Sequence, residues 1–182
     1  MEIIKTPIAD LLIIKPRVFE DARGYFCETY NEKTFRDAGI NLNFCQDNQS
    51  KSSYGVIRGL HYQLLPQSQS KLVSAAQGSV WDVAVDLRAG SPTFGQWFGV
   101  ELSEENHLQF LIPQGFAHGF SVLSETALFT YKCDNLYAPT LEGGILYNDP
   151  SIGIDWKIPA DKAIVSDKDT RHPLLKDAKL NF

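Results

Sequence analysis

Short apolar runs punctuated by glycine and proline dominate the chain. The cleanest alternation covers residues 79–88, where Trp81, Val83, Val85 and Leu87 share one parity and Asp82, Ala84, Asp86 and Arg88 the other. A period of two predicts a strand, and Gln77 and Gly78 supply the turn before it. Further strands are expected over 96–102, 107–112, 119–124 and 127–133, each bounded by Pro, Gly, Asn or Ser. Helix signals are few. Residues 31–38 can make two turns, with Asn31 as N-cap and Gly39 past the end, and Ser103 can cap a single turn. Neither alternates with strands as a βαβ crossover would. The pattern predicts an all-β antiparallel sandwich or barrel, best matched by a jelly roll, with both chain ends wrapped around it.

Composition narrows the function more than the fold. At 182 residues, 43% of them hydrophobic, the chain has the size of one domain, expected to span 1–182 and to close a core without disulfides or structural metal. Its net charge of −5 comes with no block of Lys and Arg. That excludes a general nucleic-acid binder, whose phosphate affinity needs clustered cations. The opening MEIIKTPIADLLIIKP is broken by Pro7, Asp10, Lys15 and Pro16 before a signal-peptide core or a membrane span of about 20 residues can form. A soluble cytoplasmic protein with no membrane partner is expected. Cys27, Cys45 and Cys133 are odd in number and far apart, which suits a reducing compartment and offers no zinc pairing.

Candidate chemistry centres on the histidines, of which there are four. His61 sits in the strand-like VIRGLHYQ, and His118 in IPQGFAHGF, a Pro-Gly turn leading into a strand. The Pro113, Gly115, His118 spacing looks like the second motif of the cupin barrels. Their first motif carries two histidines as HxH, whereas here His61 is followed by Tyr62 and Gln63. A site short of one ligand holds a catalytic cation weakly, so no metal or other cofactor is expected. Metal-free proton chemistry needs a base, a group to orient it, a stabiliser of negative charge and an acid. His61 is the candidate base and Asp169 the carboxylate that would orient it. Lys71 could face an oxyanion, and Tyr131, alternating with Phe129 and Cys133, could be the acid. Each has a bland counterpart: a packed strand histidine, a solvated strand-start lysine, a core aromatic. Spacing alone does not join the four.

Read together, FEDARGYFCE, FCQDNQSKS, VIRGLHYQ, KLV, WDVAVDLRAGSPTFGQW, LSEENHLQFLIPQGFAHGF, YKCDNLYAP, EGGILYNDP and SDKD closely resemble the dTDP-4-dehydrorhamnose 3,5-epimerase family. The resemblance runs in register over about 19–169. It implies a metal-free cupin-like jelly roll, a homodimer, and inversion at C3 and C5 of a 4-keto-6-deoxyhexose carried on thymidine diphosphate. By motif match, His61 is implied as the base, Asp169 as its partner, Lys71 as the enolate stabiliser and Tyr131 as the acid.

The resemblance also implies that Arg58 and Arg23 bind phosphate and that Gln46, Asp47, Asn48 and Glu28 belong to the nucleotide site. Tyr137 is implied to stack on thymine, and Glu142, His118 and Lys168 to hold further substrate positions. In a regular strand Arg58 and His61 have opposite parity; a bulge at Gly59 would return both to one pocket, and without it Arg58 acts from an edge or across a dimer. The apolar run 11–14 is expected to contribute to the dimer contact, with Arg23 completing the partner's phosphate site. Trp156-Lys157 departs from the family's usual Trp-Pro. Competing readings are a relative that inverts only C3 or only C5, a cupin ketoisomerase, and a silent sugar-nucleotide binding module.

Overall fold

The computed structural model describes residues Met1–Phe182. One six-stranded antiparallel sheet runs in the order β1 (Glu2–Lys5), β2 (Leu12–Lys15), β10 (Gln109–Ile112), β7 (Lys71–Gln77), β12 (Thr126–Cys133), β5 (Gln46–Ser53). The second runs β13 (Glu142–Gly144), β6 (Val56–Gln63), β11 (Phe116–Val122), β8 (Ser79–Asp86), β9 (Trp97–Ser103), with β14 (Ile164–Val165) parallel to the start of β6. Strands β3 (Val18–Asp21) and β4 (Gly24–Cys27) pair only with each other. The single α-helix, α1 (Glu32–Asp37), starts where Asn31 accepts a hydrogen bond from Thr34 N at 3.1 Å, and Gly39 leaves it at φ 85°. The expected all-β, jelly-roll architecture is the one observed.

The two sheets face each other across a core that includes Val73, Val80, Leu102, Phe110, Phe120, Phe129 and Val122. Phe120 and Phe129 stack at 4.2 Å between centroids, and burial of each such side chain contributes about 1.5–3 kcal/mol. Strand β8 alternates as expected, but both of its faces are covered. Ala84 and Val80 point into the inter-sheet core, while Val83, Val85 and Leu87 meet Leu60, Ile145 and Trp156 in a second core outside the second sheet. The C-terminal segment makes that cover and is tied down by Ser121 Oγ donating to Trp156 O at 2.6 Å and Tyr62 Oη donating to Lys179 O at 2.9 Å. A third cluster packs Phe35 and Ile40 against Ile14, Leu72 and Leu111 on the outer face of the first sheet.

Three expectations need adjustment. The strand expected from 107 begins at Gln109, because His107 adopts φ 54° in the turn that Ser103 caps by accepting from Asn106 N at 3.1 Å. The strand expected from 119 begins at Phe116, since Gly119 does not break it. The run 11–14 does not form an exposed contact: Leu11, Ile13 and Ile14 are buried within their own chain. At the Trp-Lys departure, Lys157 takes φ 59° and reaches over the Trp81 ring, a backbone shape closed to proline, whose φ is locked near −65°.

Asp86 closes the loop after β8 while fully buried. It accepts from Arg88 Nε and Nη2, both at 2.9 Å, and from Ser91 Oγ and Thr93 Oγ1, both at 2.6 Å, and Arg88 carries the network on to Asp10 at 2.9 Å. Burial works against the charge, yet these donors hold the carboxyl well below the ordinary aspartate range. A depressed folded pKa means stability present above the unfolded value and lost as pH falls. Asp86→Ala is therefore expected to cost about 3–5 kcal/mol at neutral pH in urea denaturation. The gap to the parent should narrow below about pH 4.

Candidate active site

The inward-facing rows of the strands change character along their length. On β12 the row runs Ala127, Phe129, Tyr131, Cys133, and on β7 it runs from Ala75 and Val73 to Lys71, which pairs with Cys133 across the sheet. Beside them β5, a strand rich in polar residues, turns Gln46 and Asn48 to the same side, opposite Cys133 and Tyr131. Apolar packing thus fills one end of the barrel and polar side chains line the other.

His61 reaches this polar end from the opposite sheet because β6 is bulged. Across β11, His61 pairs with His118 but Arg58 pairs with Phe120, so three steps on one strand oppose two on the other. The extra residue falls at Gly59, where φ is 136°. A Cβ there would stand 2.6 Å from Gly119 Cα and 2.9 Å from His118 O, so only glycine combines this φ with this approach. The bulge puts Arg58 and His61 on one side, and both line a shared recess with Lys168 and Asp169. The Gly59 N–H donates to Asp169 Oδ2 at 3.3 Å.

Asp169, nearly buried on the turn after β14, lies 2.7 Å through Oδ1 from His61 Nε2. Burial opposes its charge, but His61 and the Gly59 N–H hold the carboxyl below its ordinary value. The carboxylate accepts from the Nε2–H, and Nδ1 becomes the ring nitrogen with the lone pair. Across the cavity, burial pushes the Tyr131 phenol above its ordinary value, with Arg58 as a weaker counterweight, so the hydroxyl keeps its proton as a donor. Lys71 Nζ stands 6.0 Å from the Tyr131 ring centroid, and burial lowers its ammonium pKa against the pull of Cys133, Asp82 and Glu142.

His61, Lys71, Tyr131, Gln46, Asn48, Tyr137 and Glu142 line one cavity of about 320 Å³. Glu142 accepts from Lys168 Nζ at 2.6 Å and from Tyr137 Oη at 3.2 Å, which ties the expected aromatic and both charged positions into one rim. Arg58 donates to Ser52 Oγ at 3.1 Å. His118 lies below the cavity, buried, with Nε2 3.0 Å from both oxygens of Asp82. Arg23, Glu28 and Asp47 are not brought to the cavity. Arg23 pairs with Asp21 on the β3–β4 turn, Glu28 accepts from Asn31 at 3.2 Å, and Asp47 pairs with Lys132 at 2.8 Å on the outer face of the sheet. The physical reason for Asp47 is parity: between inward Gln46 and Asn48, it must face out.

Sequence reasoning overlooked Asp82, whose signal was a carboxylate on the inward parity of the best-defined strand. It also gave His172 no role, although its ring stands edge-on to His61 at 5.7 Å. The residues at the cupin metal position do not fit a metal. Gln63 spends both ends of its amide on backbone, donating to Gln67 O at 2.6 Å and accepting from Ala138 N at 2.7 Å, and His118 is committed to Asp82.

An all-β cupin-like barrel that sets a histidine, paired with a carboxylate from the turn after β14, opposite a phenol and an ammonium holds the groups that acid–base chemistry needs. Residues 5–177 match the sequence model of a family described as dTDP-4-dehydrorhamnose 3,5-epimerase, and the chain belongs to that family. A relative of that name from Shigella flexneri is 54% identical over 179 residues, covering 98% of each chain. The crystal structure of dTDP-4-dehydrorhamnose 3,5-epimerase from Elizabethkingia anophelis matches with a TM-score of 0.93 and 59% identity over 97% of both chains. That of dTDP-6-deoxy-D-glucose-3,5-epimerase from Legionella pneumophila, in complex with dTDP-4-keto-L-rhamnose, has a TM-score of 0.93 and 51% identity, covering 97% of this chain and 93% of that one.

Gly59→Ala tests the bulge. The strained φ alone costs about 1–3 kcal/mol, and the backbone clash adds to it. Chemical denaturation should show a loss of at least about 2 kcal/mol, with the His61 ring resonances displaced in NMR spectra; parent-like stability and spectra would rule the bulge out.

Proposed function

We propose that this chain inverts C3 and C5 of dTDP-4-dehydro-6-deoxy-D-glucose to give dTDP-4-dehydro-L-rhamnose, by metal-free acid/base catalysis within a single domain. The observation that carries the reading is the placement of His61, paired behind with Asp169, and of Tyr131 on opposed sheets of one cavity. Both reacting carbons are alpha to the C4 ketone. Loss of either proton gives a planar enolate with its charge on the C4 oxygen, so one base and one cation serve both centres once the ring reorients. His61 removes the proton, Asp169 stabilises the imidazolium, Lys71 faces the developing oxyanion, and Tyr131 returns a proton to the other face. A positioned acid or base is worth ~10²–10⁴-fold and an oxyanion donor ~10²–10³-fold. Thymine stacks on Tyr137, Gln46 and Asn48 hold the nucleotide, and Arg58 meets the diphosphate, with Glu142 and Lys168 at the rim.

His61→Asn should abolish both epimerisation and deuterium uptake at C3 and C5. Tyr131→Phe should keep exchange with solvent, because His61 returns deuterium to the face it cleared, while inversion slows by ~10²–10⁴-fold. NMR of recovered substrate and product in heavy water separates the two; exchange at the parent rate in His61→Asn, or inversion at the parent rate in Tyr131→Phe, would overturn these assignments.

The active form is a homodimer. The β3–β4 hairpin carries Phe19, Tyr25 and Phe26 at 48%, 57% and 67% exposure, an apolar surface that a neighbouring copy would cover. Arg23 on its turn then reaches the partner's phosphate site, and Glu28 and Asp47 join the nucleotide site only in that assembly. No helix is long and apolar enough to cross a membrane, and three scattered free cysteines fit work in the cytoplasm. Light scattering should give a dimer mass. Phe26→Asp should shift it toward monomer, and a fully active parent monomer would refute the assembly.

A further inference from the structure

Behind the dyad a third donor converges on the same carboxylate oxygen. Asp169 Oδ1 is 2.7 Å from His61 Nε2 and 3.5 Å from His172 Nε2, and the ligand atoms of the three residues all lie within 4.8 Å of one another. The His172 nitrogen is buried and has no hydrogen-bond partner. Its ring is backed by β13, since a Cβ on Gly144 would meet Cε1 and Nε2 at 2.4 Å. Both imidazoles therefore aim Nε2 at one point, and one of them holds nothing there.

Two imidazole nitrogens and one carboxylate oxygen make a donor set suited to zinc and similar borderline divalent cations, with bonds of about 2.0–2.2 Å. Tetrahedral geometry at those lengths separates neighbouring ligand atoms by roughly 3.4 Å. The His172–Asp169 spacing already meets that, and a small rotation of Asp169 opens the His61 side. Arg58 opposes a cation in the adjoining recess, whereas Lys168 beside it is already paired with Glu142.

We infer that His61, Asp169 and His172 form a binding site for a divalent cation of this class, with Zn²⁺ as its representative, and that occupancy inhibits the enzyme. A cation on Nε2 of neutral His61 leaves the ring proton on Nδ1, the nitrogen whose lone pair the base needs. Metal would thus silence the reaction it does not assist. The inhibitory half rests on His61 being the base; the binding half does not.

The protein is stripped with EDTA, dialysed, and titrated with Zn²⁺ by calorimetry and with Co²⁺ by absorption, while epimerisation is assayed in parallel. One equivalent should bind, turnover should fall with occupancy, and EDTA should restore it. The cobalt form should lack a thiolate charge-transfer band, which separates this site from Cys27, Cys45 and Cys133. His172→Gln should bind Zn²⁺ at least tenfold more weakly, and its turnover should resist zinc to the same degree. Unchanged zinc affinity in His172→Gln, or a thiolate band, would overturn the site. Anomalous diffraction from zinc-soaked parent crystals tests the same site without a variant: a peak between the three residues supports it, and occupancy only elsewhere refutes it. Zinc bound here with turnover unaffected would support the site and refute His61 as the base.

Discussion

The contact between Gly59 and the backbone of β11 governs the rest of the site. One extra residue on β6 turns the strand so that Arg58 and His61, three apart, face the same side. The same residue donates its N–H to Asp169, so the irregularity that aims the imidazole also anchors the group that orients it. Neither strand could come this close with larger residues: a Cβ on Gly119 would stand 2.7 Å from Arg58 O. Two glycines that look like strand breakers are what allow the strands to pair here.

The barrel interior is divided to suit chemistry at one end. Phenylalanine, valine and leucine fill the lower part and supply the burial that stabilises the fold. Above them lie buried Asp82 and His118 and half-buried Lys71, a group of titratable side chains that an interior chosen for stability alone would exclude. The His118–Asp82 contact offsets part of the desolvation of that pair, and burial lowers the ammonium pKa of Lys71. A less solvated cation exerts a stronger field on charge developing nearby. The Tyr131 phenol, its pKa raised by the same burial, lies beside it with its ring centroid 6.0 Å from Lys71 Nζ.

Much of this was legible in the residues. Strand β8 was clear because its two faces differ in side-chain type, and α1 because Asn31 and Gly39 mark its ends. Strand β5 was not, because QDNQSKSS carries no apolar alternation: its inward row is polar where it borders the cavity. Asp82 escaped notice for a related reason, since a carboxylate on a strand is usually read as solvated until the opposing sheet is known to cover it. The bulge at Gly59 was a question raised by parity and answered by pairing.

The local sequence by itself determined the class of structure, most strand positions and the helix caps, and motif resemblance pointed to His61, Asp169, Lys71 and Tyr131, which the fold places around or beside one cavity. These depend on side-chain type and short spacing, which a chain carries before it folds. Tertiary structure decided which groups meet. His61 and Asp169 are brought together from positions 108 residues apart, Arg23 and Asp47 are turned away from the cavity, and His172 is packed beside Asp169 against Gly144 of β13. Register, bulges and the face a residue presents are properties of pairing between distant segments, so they are settled only when those segments pack.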